Sequence, residues 1–221
     1  MDDANTNESG HGHIETWYDN KDKSFTIAPV YAPLEGLELG AVLSKSNSTF
    51  ENTYSFQLKK LLSVAQESGC NTAATLGRSS VQNSGDQTVY GWGILTCNSI
   101  EWGSVHMNLG LTKANTQSSQ QLYGIAFEYP IKGFVPHIEW LHQDSEKDVT
   151  SIGIRTELIK NLQIDGSYRT QDNESYYTVG MKFQFLKELS YHYGYSLLCC
   201  FFIGNGSPSA IRTCDLQTQT P

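Results

Sequence analysis

From about His13 to Phe185 the chain is a succession of short stretches in which apolar and polar residues alternate. Side chains of a β-strand point to opposite faces in turn, so each stretch reads as a strand with one apolar and one polar side. The pattern predicts twelve strands, at 12–19, 23–33, 37–46, 52–65, 70–80, 87–97, 101–112, 121–131, 134–143, 149–159, 162–171 and 175–186, with ten as the alternative count. The last is the clearest: Tyr177, Val179, Met181, Phe183 and Phe185 fall on one face, Thr178, Gly180, Lys182 and Gln184 on the other. Strand 101–112 sets Val105, Met107, Leu109 and Leu111 against His106, Asn108 and Gly110, and strand 121–131 sets Tyr123, Ile125, Phe127, Tyr129 and Ile131 against Gly124, Ala126 and Glu128. No 3.6-residue periodicity interrupts the array.

Links between strands are short and polar. Leu34-Glu35-Gly36, Asn98-Ser99-Ile100, Lys132-Gly133 and Lys160-Asn161 read as tight turns, while 47–51, 114–120 and 144–148 are somewhat longer. Strand following strand with short links suits an up-and-down meander that closes on itself. An even count then puts both ends of the array on one side.

The apolar faces need a partner, either a core or lipid. Hydrophobic residues make up 38% of the 221, and the longest apolar run is far below the ~20 residues a spanning helix requires. A membrane barrel still fits, because only alternate residues of each strand touch lipid. The polar faces carry charges of both signs, among them Glu38, Arg78, Glu128, Glu139, Arg155, Glu157, Asp165, Arg169 and Lys182, which suits a wet interior. Aromatics such as Trp17, Tyr18, Tyr31, Tyr54, Trp102, Tyr129, Trp140, Tyr168 and Tyr177 gather toward strand ends, where amphipathic rings favour a membrane interface. The alternative is a soluble β-sandwich. In strand 52–65, Lys60 falls in phase with Tyr54, Phe56, Leu58 and Leu62. A lysine at mid-bilayer costs about 2–4 kcal/mol, so a bulge or a rim position is expected there. The net charge of −8 without a basic stripe excludes nucleic acid as a partner.

With these strands, the chain over 12–186 resembles the Gram-negative outer-membrane β-barrel family, in the manner of a small porin. The closing strand Tyr177-x-Val179-x-Met181-x-Phe183-x-Phe185 looks like the C-terminal signal of that family. In the family the aromatic ends the chain, whereas here residues 186–221 follow it. The resemblance implies an all-β, closed, antiparallel, up-and-down transmembrane barrel in a bacterial outer membrane, carrying small solutes by passive diffusion. It implies no enzymatic activity and no cofactor. Its partners would be outer-membrane lipids, the barrel-assembly machinery through residues 177–185, and small solutes; the sequence names neither a solute nor an oligomeric state.

The candidate pore lining is Glu128, His137, Glu139, Arg155, Glu157, Asp165, Arg169 and Lys182, which sort solutes by charge if the lumen is open and pair as a salt-bridge plug if it is narrow. The candidate interface aromatics are Trp102, Tyr129, Trp140, Tyr177 and Phe185. If 70–97 forms a hairpin with its tip at Asn83-Ser84, antiparallel partners sum to 167, and Cys70 faces Cys97. The pair is either a cross-strand disulfide in an oxidising compartment or two separate thiols. His106 and His137 read as lumen residues rather than metal ligands, and His11-Gly12-His13 as a solvated lead. Besides a channel, a closed-lumen structural or adhesive barrel is the alternative. A hydrolase would rest on Ser104 and His106, which share a face but lack a third partner.

Residues 1–11 are acidic and polar and read as a disordered lead without the basic start and apolar stretch of a signal peptide. The expectation is that a signal has been removed or missed. Residues 187–221, with Cys199, Cys200 and Cys214, read as an unstructured tail, either a read-through product or a periplasmic extension.

Overall fold

A computed structural model describes residues 2–48, 51–65, 69–82, 84–99, 103–115 and 117–185. Trp102 and the tail lie outside the described residues. The strands are β1 Gly12–Asp19, β2 Ser24–Leu34, β3 Leu37–Ser46, β4 Asn52–Ser63, β5 Gly69–Val81, β6 Gln87–Ser99, β7 Gly103–Ala114, β8 Gln120–Glu128, β9 Phe134–Gln143, β10 Val149–Ile159, β11 Leu162–Gln171 and β12 Glu174–Phe185. Each pairs antiparallel with its sequence neighbours, and β12 pairs with β1 from Gly12↔Phe185 to Asp19↔Thr178, closing the barrel. Closure satisfies the backbone groups of both edge strands, the condition for a sheet to stand in lipid. Among the described residues no helix is long and apolar enough to cross a membrane.

The two faces of the wall differ in chemistry. Outward residues are large and apolar: Phe56 is 71% exposed, Leu76 64%, Leu109 67% and Ile152 62%. Thr26, Thr75, Thr96, His106, His137, Ser151, Ser167 and Thr178 are buried in the opposite phase, inside. An apolar belt encircling a polar interior is the inverse of a water-soluble barrel. Aromatics mark both ends of the outer wall. Phe134 and Tyr31 stand near the end where β1 begins, here the terminal end, and Tyr18, Tyr168 and Tyr177 near the opposite end.

No connection exceeds five residues. Several are tight because residues adopt left-handed backbone. At Asp172-Asn173 φ is 50° and 66°, and at Lys132-Gly133 it is 48° and 88°, the geometry of two-residue hairpin turns that match strand twist. The connections span two to five residues at both ends of the barrel. Lys60 pairs with Leu37, the first residue of β3, beside a bulge between Leu61 and Ser63, so it stands at the rim where its amine reaches water. Arg78 departs from its expected inward place. It shares a phase with exposed Leu76 and reaches Gln87 on the outer wall near the opposite end. Small residues on both faces of β5 leave Leu76 as the one large apolar marker of phase.

Residues 2–11, read in the sequence as a disordered lead, follow a defined path along the barrel. Gly10 donates to Ala32 O (2.7 Å) and Ala32 to His11 O (2.9 Å), extending the β1–β2 ladder by one step. The chain then turns, with His11 donating to Glu8 O, and runs into the lumen. Ala4 is fully buried against Ala73 and Ile94, with Trp92 alongside. A local sequence without apolar periodicity holds this shape only through contacts from distant strands.

Candidate functional site

The lumen is the candidate site. Glu128, His137, Glu139, Arg155, Glu157, Asp165, Arg169 and Lys182 all lie on the inner face, in phase with buried Ala126, Ser151, Ser167 and Thr178. Register brings several of them together. Arg155 stands 2.5 Å from Glu128 Oε1 and 3.7 Å from Asp165 Oδ2, so one guanidinium bridges two carboxylates. His106 Nε2 lies 3.8 Å from Glu128, and His137 Nε2 3.9 Å from Asp165. The His106 Nδ1 pairs with Thr96 Oγ1 at 2.9 Å. The result is one chain of polar contacts across β6, β7, β8, β9, β10 and β11. Gly153 makes room for it, because a Cβ there would collide with the His137 ring. Glu139 accepts from the Ser151 hydroxyl, and Glu157 sits at the terminal rim, accepting from the Asn161 backbone.

A second group lies across the closing seam. Lys182 Nζ is 3.0 Å from Glu15, and His13 Nε2 is 3.4 Å from the same carboxylate. A third stands on β3 and β4, where Lys59 is 3.7 Å from Glu38. The lead ties these two groups together: the Asn7 amide contacts His13 Nδ1 (2.9 Å) and donates to Glu38 (2.7 Å). Buried charges satisfied this way cost far less than isolated ones. At the opposite end the lumen opens into a polar cavity of about 280 Å³ lined by Thr88, Thr112, Gln120, Gln143 and Glu146 among others.

The interface aromatics among the described residues, Tyr129, Trp140, Tyr177 and Phe185, fall on the outer wall. Trp140 clusters with Tyr123 (5.6 Å between centroids) and His142 near the opposite end, and Asp148 in the adjoining loop accepts from both Trp140 Nε1 (3.1 Å) and His142 Nδ1 (2.7 Å). The His142 hydrogen bond, with that of Trp140, holds the Asp148 carboxyl below its ordinary value. Tyr129 is 43% exposed just beyond β8, and Tyr177 49% exposed on β12. Phe185 packs its ring over Gly12 at the seam. Cys70 and Cys97 are direct partners in the β5–β6 ladder and form a disulfide on the outer wall near the terminal end.

The residues that would carry a hydrolase are engaged separately. Ser104 donates to Asn98 (2.8 Å) and His106 pairs with Thr96, which splits the two expected partners. Among the described residues no cluster of three metal-ligating side chains exists. The polar functions of the lead, from Asp2 to Asn7, carried no periodic signal in the sequence.

No known protein-family model matches the chain, and no curated protein matches it in sequence. Solved structures do match its fold. The KdgM porin in complex with disordered oligogalacturonate aligns with a TM-score of 0.66 at 11% identity, covering 79% of this chain and 99% of that one. A second structure of the KdgM porin gives 0.65 at 10% identity, with the same coverage. The NanC porin gives 0.57 at 7% identity, covering 79% and 98%. At such identities the likeness is one of fold: a closed, twelve-stranded, all-antiparallel outer-membrane barrel.

Proposed function

We propose that the protein stands in a bacterial outer membrane and passes small solutes through its lumen by passive diffusion, without catalysis. The observation that carries this reading is the inversion of the wall, with an apolar belt outside and inward charges of both signs inside. The fold of the KdgM and NanC porins supports it. Twelve strands lie between small barrels filled by side chains and the 16–18-stranded porins with aqueous channels, so the pathway is narrow.

A second reading is a barrel whose lumen is closed. It is favoured by the placement of the lead inside and by the Glu128–Arg155–Asp165 bridge. Planar-bilayer recording separates the two. We expect discrete events from the full chain and larger ones from a form lacking residues 2–8. Silence from both forms, with insertion verified, would overturn the channel reading.

A further inference from the structure

The lead does more than occupy space. Its residues 2–8 contain a single apolar side chain, Ala4, so greasy packing cannot account for its position. Its backbone is instead held group by group. The Asn108 amide lies 3.1 Å from both Asp2 O and Asp2 N; with its nitrogen turned to the carbonyl and its oxygen to the N–H, the orientation that satisfies both, it donates to the first and accepts from the second. Ala4 N donates to Thr96 Oγ1 (2.7 Å), Lys59 Nζ donates to Asn5 O (2.6 Å), and Asn7 N donates to Glu38 (2.6 Å). These four side chains stand on β7, β6, β4 and β3 in spatial order. Other contacts touch side chains: besides those of Asn7 with Glu38 and His13, and Lys59 at 3.9 Å from the Asp3 carboxylate, Trp92 Nε1 donates to the Asp2 carboxylate (3.1 Å) and Asn71 donates to the Asn5 side chain (2.9 Å).

We propose that the inner wall from β3 to β7 is a peptide-binding track, and that residues 2–8 are its resident ligand. Polar side chains spaced along successive strands to meet the N–H and C=O groups of one bent segment are what a peptide site requires. The ligand class follows from the points where side chains are read. A carboxylate is wanted at the position of Asp2, where the Trp92 indole donates. A small residue is wanted two positions on, where Ala4 is sealed between Ala73 and Ile94. The track therefore takes a short acidic peptide, and the lead competes with any such peptide for it. This does not depend on the barrel conducting.

The test is binding in detergent micelles, with a dye-labelled synthetic peptide of residues 2–8 as the probe. The barrels are the full chain and an Ala4→Arg variant, whose guanidinium does not fit the sealed pocket and so frees the track. Heat-modifiable migration on a gel reports that each barrel has formed. We expect the variant to bind the peptide at least ~10-fold more tightly than the full chain, and a further Asn108→Leu change to weaken that binding by about 10-fold, the loss of one to two hydrogen bonds. A form lacking residues 2–8 gives the same answer should Ala4→Arg leave the lead in place. Equal binding of a peptide of scrambled order, or no binding to the folded form lacking the lead, would overturn the proposal. Because no current is measured, a silent channel leaves this result standing.

Discussion

Arg155 shows how single residues set the character of the lumen. Among the described residues it is the one arginine or lysine that bridges Glu128 and Asp165, and replacing it with alanine leaves each carboxylate only its histidine neighbour, His106 for Glu128 and His137 for Asp165. Charge-assisted hydrogen bonds contribute about 1.5–3 kcal/mol, so Arg155→Ala should lower stability in urea titrations by roughly that amount. Asp148 titrates at the opposite rim. Its carboxyl is held below the ordinary 3.8 by the His142 hydrogen bond, so the contact stabilises the fold above about pH 4 and is lost as the pH falls through the depressed value. Trp140, which donates to the same carboxylate, should report this as a change in fluorescence on acidification that Asp148→Asn removes. At this scale the inner face was legible wherever large apolar residues marked the other side, as Leu109 and Leu111 do for His106. It was not legible for Arg78, where β5 carries small residues on both faces and phase has little to report it.

At the scale of elements, strand order and number were legible because each strand turns its apolar side chains to one face in a fixed period of two, and β12 showed that period from Tyr177 to Phe185. The links were less so. Lys132-Gly133 reads as a turn from its residue types, but the length of each link depends on where ladders stop pairing, which is a property of neighbouring strands. The disulfide joins β5 to β6 across a separation of 27 residues. Loop-closure entropy of that size is worth about 3.5 kcal/mol, so reduction should shift the urea midpoint downward, and Cys70→Ser with Cys97→Ser should reproduce the shift without reductant. Phe185 closes the seam by covering Gly12. Phe185→Ala should reduce the yield of heat-modifiable barrel in cells while barrels refolded from urea still form, as expected if residues 177–185 are read during assembly.

For the whole molecule, the lumen carries more carboxylates than cations, and Asp2, Asp3 and Glu8 of the lead add to that excess. Reversal potentials in a salt gradient should show preference for cations, weakening toward 1 M salt as the Debye length falls to about 3 Å. Removing the lead should raise conductance and reduce the preference together. None of this was legible from residues 1–11. They have no period, no apolar face and no helix signal, and their path comes from side chains that the closed barrel brings together from β3 to β7. Sequence patterning reports what a segment does with its own neighbours; a strap held by five separate strands leaves no local trace.

The short connections have a consequence for anything arriving from outside. With no link between the described strands longer than five residues, little chain is available to rise above either rim. A protease needs several extended residues to fill its cleft, and an antibody needs about 800 Å² of accessible surface on its target. Intact cells treated with trypsin should therefore retain the barrel uncut despite Lys21 and Lys23 in the first exposed turn, and sera raised against whole cells should recognise it poorly. A barrel with links this short trades the variable loops that diversify an outer face for near invisibility.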